Sequence, residues 1–203
     1  MPKNKFKTLY KLKVTEVWRS HLVESCKSFP SLRYLCPEFL SLSRPHPIFA
    51  FIRGNAYELR AAYLQALLLC GRFRTERIKR HWTDNKLGIC LSPICNNLKL
   101  LDTQEHFLLY CHGLSDERRQ LLNFTLAYSL DKPVFKLLLN ECFFTTDDGL
   151  RLQFLIDPSI LPMVVSTVQV FGDIILQNCF KIGRVWCRTL NDARLRKVNQ
   201  FRK

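Results

Sequence analysis

Cys90, Cys95, His106 and Cys111 follow one another as C-x4-C-x10-H-x4-C, two short ligand pairs separated by a loop. Structural zinc sites are usually assembled this way, because Zn²⁺ takes four tetrahedral ligands drawn from thiolate sulfur and imidazole nitrogen. The first pair lies in a stretch containing Gly88 and Pro93, and the second brackets "HFLLYC". Three thiolates and a neutral imidazole around a dication leave one formal negative charge, which nearby Lys86 and Lys99 would help to balance. His112 competes with His106 as the nitrogen ligand. Four-residue spacers are looser than C-x2-C, so three buried cysteines beside a capping histidine stand as the alternative reading. Cys26, Cys36, Cys70, Cys142, Cys179 and Cys187 sit singly among apolar residues and are expected in the core, with no second metal site.

Other chemistry finds little support. The sequence has no G-x-S-x-G elbow and no glycine-rich phosphate loop, and a closed four-ligand metal set leaves no position for activating water. Asp147–Asp148 reads as a helix N-cap, because no upstream strand offers the third carboxylate that a two-metal centre needs. No catalytic residue is assigned, and the chain is expected not to be an enzyme.

The elements that must position the four ligands read as helices. Leu9 to Cys26 places Leu12, Val14, Val17, Trp18, Leu22 and Val23 on an apolar face. A connector punctuated by Pro37, Pro45 and Pro47 follows. Asn55 to Cys70 repeats Leu59, Ala62, Tyr63, Ala66, Leu67 and Cys70 at helical spacing, with Gly71 as the C′ stop. Thr75 to Trp82 restarts a short basic helix. Residues 84–103 lack periodicity and read as a loop or small ribbon, after which Asp102–Thr103–Gln104–Glu105 looks like a capping box for a helix through Tyr110. Further helices are expected at about 115–129, 132–142, 149–156 and 160–200, the last broken near Gly183. The fold class is all-α, a helical scaffold with one small metal-binding loop. Three regions follow from this: residues 1–54, the first helix and connector; 55–130, the basic turn with the ligands; and 131–203, the C-terminal helices.

Charge points to a class of partner. The 203 residues carry a net +14, which attracts a polyanion. It is concentrated at residues 1–20 (+5), 71–90 (+4) and 184–203 (+6). In "GRFRTERIKRHW", Arg72, Arg74, Arg77, Lys79 and Arg80 are the candidate nucleic-acid contacts, since Lys and Arg bind phosphate whatever the base sequence. Phe73 and Trp82 could stack on unpaired bases, but core packing is the reading favoured for both.

Met1 to Lys13 is basic, without the apolar stretch of a secretory signal, and the nine cysteines are odd in number, so a reducing, intracellular setting, nuclear or cytoplasmic, is expected. No apolar run reaches the roughly 18 residues of a membrane span, and no membrane partner is expected.

The strings "LLLCGRFRTERIKRHW", "CLSPIC", "DTQEHFLLYC" and "LSDERRQLL", followed by "LQFLIDPSILP" and "RVWCRTLNDARLRK", resemble in order the region beyond the thumb of jockey-like, non-LTR (LINE-type) retrotransposon reverse transcriptases. The resemblance implies structural Zn²⁺ on Cys90, Cys95, His106 and Cys111, a basic turn at Gly71, Arg72, Arg74 and Thr75, and RNA or DNA as partner. It departs from the family in what is missing: the aromatic–x–Asp–Asp of the polymerase strand is absent, with Thr145 two positions before Asp147, and so is the endonuclease. A polymerase would have to come from another chain. The alternative is a host protein-interaction scaffold made from the same region, with no nucleic-acid role.

Overall fold

In a computed structural model of the chain, the residues described are 3–28, 32, 34–35, 46–52, 54–73, 75–76 and 87–201. The architecture is all-α: α1 (Lys3–Ser28), α2 (Pro47–Ala50), α3 (Ala56–Leu69), α4 (Pro93–Asn97), α5 (Ser115–Ser129), α6 (Pro133–Cys142), α7 (Asp148–Ile156), α8 (Pro162–Phe171) and α9 (Asp173–Phe201). A π-helical segment, His106–Tyr110, and two 3-10 turns, His112–Leu114 and Pro158–Ile160, lie between them. Among the described residues the one ladder contact is an isolated antiparallel bridge, Ile89 to Leu101.

Local chemistry starts and stops these helices. Asn55 Oδ1 accepts the Tyr57 N–H at 2.8 Å to cap α3, and Asp147 Oδ1 accepts the Leu150 N–H at 3.1 Å to cap α7, the role expected of this Asp pair. Proline opens α2, α4, α6 and α8, where a missing N–H costs nothing. Gly71 ends α3 in the left-handed region at φ 63°, and the N–H groups of Arg72 and Phe73 return to the Leu67 carbonyl.

α9 is the spine, packed against α3, α5, α7 and α8. Trp186 sits at its centre, buried edge-on against Phe143 with ring centroids 5.2 Å apart. Its Nε1–H donates to Thr125 Oγ1 at 3.0 Å, so the indole is buried without an orphaned donor. On the connector side, His46 accepts the Ile48 N–H on Nδ1 and approaches buried Asp157 through Nε2 at 3.2 Å.

Several details differ from the sequence reading. The break after residue 160 falls at Gly172, with φ 78°, and not at Gly183. Gly183 lies inside α9, where a Cβ would come within 2.5 Å of the Leu155 carbonyl oxygen and 2.4 Å of Gln65 Nε2. It is there for close helix approach, not for a turn. In α3 the buried face is Ala61, Ala62, Leu64, Gln65, Leu68 and Leu69, while Leu59, Tyr63 and Cys70 are exposed. Gln65 can turn inward because its Nε2 donates to the Leu155 carbonyl at 2.7 Å. α1 is longer than expected, and Leu12, Val14, Val17 and Trp18 are exposed. At about 100° per residue, Leu12 and Val17 point about 140° apart, so these side chains form no single stripe. Pro47 belongs to a helix instead of an irregular link.

Candidate metal centre

The ligands are brought together by three pieces of backbone. Cys90 follows the Ile89–Leu101 bridge, and its N–H donates to the Leu100 carbonyl at 2.9 Å. Cys95 lies in α4, which closes through Lys99 at φ 52° with the Leu100 N–H returning to the Cys95 carbonyl at 2.9 Å. His106 opens the π-helical segment and Cys111 ends it, the Cys111 N–H donating to the His106 carbonyl at 2.6 Å. In an α-helix residues five apart point about 140° away from each other. The wider i→i+5 turn narrows that angle, and this is how an H-x4-C spacing delivers both side chains to one point.

All four side chains are buried, and one ligand atom from each lies within 4.8 Å of the others. Cys90 Sγ and Cys111 Sγ are 3.7 Å apart. That is far beyond a disulfide and matches the edge of about 3.8 Å for two thiolates at about 2.3 Å from a tetrahedral metal. His106 Nε2 is buried with no hydrogen-bond partner, an orphaned imidazole nitrogen of the kind a metal ion engages. His112 is exposed on the following turn, so His106 is the histidine of the cluster. The residues therefore fit a bound metal ion.

Contacts around the cluster favour thiolate at Cys111. Backbone N–H groups of Ser92 and Gly113, each two residues past a cysteine, donate to Cys90 and Cys111. A hydrogen bond from Cys90 holds the Cys111 thiol well below the ordinary thiol range, while the same contact and burial push Cys90 up. Gly113 leaves room for this turn, since a Cβ there would lie 2.6 Å from Ser92 Oγ.

The cation beside the thiols is Arg118, which the sequence reading missed although it quoted the arginine-bearing "LSDERRQLL". Its Nη2 donates to the Cys111 carbonyl at 2.6 Å; burial draws its pKa below the ordinary guanidinium value, and the charges of Cys111 and Cys95 oppose that only in part. Lys99, expected in this role, is exposed, and Lys86 lies outside the described residues. The centre is tied to α9 by two further contacts. Lys197 Nζ donates to the Gly113 carbonyl at 2.6 Å and pairs with Glu117 at 2.8 Å. Arg194 pairs with buried Asp102, whose carboxylate also takes the Glu76 N–H. With Asp102 occupied in this way, the cap of the ligand segment is Thr103, whose Oγ1 accepts the His106 N–H at 3.1 Å.

Of the candidate nucleic-acid residues, Arg72 is exposed on the turn after α3, whereas Arg74, Arg77, Lys79 and Arg80 lie outside the described residues, as does Trp82. Phe73 is core, 3% exposed and 4.6 Å from the Phe107 ring. Of the remaining cysteines, Cys142, Cys179 and Cys187 are buried as expected; Cys26 is half-buried, Cys70 is exposed at the end of α3, and Cys36 is outside the described residues. No helix among the described residues is long and apolar enough to cross a membrane. No family model, curated protein or solved structure matches this chain.

Proposed function

We propose that this chain is a nucleic-acid-binding domain organised around a structural zinc ion on Cys90, Cys95, His106 and Cys111, of the type found in the C-terminal region of LINE-type reverse transcriptases. Catalysis is not its role. The carrying observation is the convergence of those four buried side chains, in the order and spacing that the resemblance implies. Three thiolates and an imidazole favour zinc over hard cations, which prefer oxygen. The space beside Cys90 and Cys111 is about 30 Å³, room for roughly one water, which favours a structural over a catalytic ion. A net +14 supplies the attraction for a polyanion.

The test is fluorescence anisotropy of zinc-loaded protein with a labelled single-stranded RNA and a DNA duplex across a salt series. Binding should weaken linearly in log–log form as salt rises. Binding that ignores salt, or none at low salt, would overturn the reading. A protein-interaction scaffold would then be favoured, on the strength of the exposed Leu9, Leu12, Val17 and Trp18 of α1.

A further inference from the structure

A cavity of about 440 Å³ opens between the start of α3, the end of α5 and the middle of α9. Three cations of α9 line it, Lys181, Arg184 and Arg188, at the i, i+3, i+7 spacing that puts them on one helix face. Arg184 is only 7% exposed; its Nε donates to the Phe180 carbonyl at 3.2 Å, and its Nη1 is buried without a hydrogen-bond partner. A guanidinium does not give up water for nothing, and leaving a donor unpaired there is costly. Arg188 repeats the pattern: its Nη1 is buried and unpartnered, while its Nε lies 3.4 Å from Asp192. Lys181 is held over the Tyr128 ring at 4.5 Å. Among the described residues Glu58 is the one carboxylate on the cavity wall, against three cations. The start of α3, capped by Asn55, faces the same space and adds the partial positive charge of a helix N-terminus.

An aromatic surface completes the site. Tyr57, on the first turn of α3, is 59% exposed and lies under the Arg188 guanidinium. Arginine forks bind phosphate oxygens in pairs, and an exposed tyrosine beside them offers a face for an unpaired base. The volume suits a unit of nucleotide size, and a duplex about 20 Å across would not enter it.

We infer that this cavity binds one phosphate and its adjoining unpaired base of a single-stranded nucleic acid, the phosphate against Arg184 and Arg188 and the base against Tyr57. This rests on the nucleic-acid reading above and gives it a location apart from both the metal centre and the basic turn after α3.

The experiment compares zinc-loaded wild type with Lys181→Gln/Arg188→Gln and with a charge-matched control on exposed residues elsewhere, Arg119→Gln/Lys136→Gln. The probe is a labelled single-stranded octanucleotide, with circular dichroism and bound zinc checked for each protein. The cavity variant should raise the dissociation constant about tenfold and the control by no more than about twofold. Tyr57→Ala, which removes an exposed ring and spares the charges, should weaken the octanucleotide several-fold and a blunt duplex hardly at all. Equal losses in the cavity and control variants, with Tyr57→Ala silent, would overturn the site while leaving nucleic-acid binding intact. A wild type that binds neither probe at low salt would overturn the underlying reading and the site with it.

Discussion

Arg194 of α9 pairs with Asp102, the residue just before the Thr103 cap of the ligand segment, although the two are 92 positions apart in the chain. The carboxylate is almost fully buried, and the guanidinium also lies over the Phe107 ring at 5.5 Å. Asp102 further accepts the Glu76 N–H, so a single side chain joins the segment after α3, the metal loop and the spine. The loop that carries the four candidate ligands is thus fixed by contacts from outside it.

Removing one member of a buried ion pair strands the other, and this costs about 3–5 kcal/mol. Asp102→Ala should therefore lower stability in urea titrations of the metal-loaded protein, by less than that full cost because the buried Glu76 carboxylate stays 3.9 Å from Arg194, and weaken metal retention with it. Asp102→Asn, which can still accept the Glu76 N–H, should cost less. A loss below about 1 kcal/mol for the alanine variant would mean that the pair acts like an exposed one.

One metal equivalent per chain is expected, measured by elemental analysis after gel filtration. His106→Ala and Cys111→Ser should lose it, whereas His112→Ala should keep it because that side chain is exposed. Chelation should lower the thermal midpoint of the wild type, since the binding free energy of a structural site is folding free energy. Retention of the metal by His106→Ala together with its loss from His112→Ala would reverse the ligand assignment.

What the sequence makes legible is whatever is settled within a turn or two of chain. The limits of α5, the N-cap at Asp147 and the Gly71 stop are of this kind, and the four ligands announce themselves by type and spacing. What it hides is settled by distant partners. Gln65 turns inward because the Leu155 carbonyl, 90 positions away, accepts its hydrogen bond. Asp102 looks like the cap because nothing local reveals that Arg194 and the Glu76 N–H claim its carboxylate. Arg118 stands out among its charged neighbours only when the Cys111 carbonyl is seen beside it. The π-turn that makes H-x4-C workable leaves no signature of its own in "HFLLYC".

Gly183 and Gly172 should fail in different ways. In mid-helix, Ala is favoured over Gly by about 1 kcal/mol, but at 183 its Cβ meets the Leu155 carbonyl at 2.5 Å and the Gln65 amide at 2.4 Å. Overpacking costs typically 1–3 kcal/mol, and a backbone atom cannot swing aside, so Gly183→Ala should be destabilising overall. At 172 nothing lies within 4 Å, but φ is 78°. With ψ at −177° as well, the residue lies in a region essentially confined to glycine, so Gly172→Ala and Gly172→Asn should both cost about 1–3 kcal/mol through strain alone. Denaturation midpoints would separate the two sites; a stabilised Gly183→Ala would contradict the close approach of α9 to α3 and α7.

Stability should fall on the alkaline side for a reason lodged in the core. Burial pushes the Cys142 thiol up to about 11, with Glu141 adding to it, and pushes Cys187 up to about 12. Cys179 is raised as well, by burial and by Cys142. In the unfolded chain such thiols ionise near 8.5. The folded state therefore binds more protons than the unfolded state above that pH, and stability must decline as pH rises. Their contribution is fully present below about 8.5 and is lost from there up through about 11–12, at a limiting rate of about 1.4 kcal/mol per pH unit for each thiol. Chemical denaturation of the metal-loaded protein at pH 8, 9 and 10 should show this decline. Cys142→Ala with Cys187→Ala should be less stable at pH 8 yet flatter between pH 9 and 10. An unchanged slope in that double variant would mean that other groups control the alkaline limb and that these thiols ionise freely in the folded state.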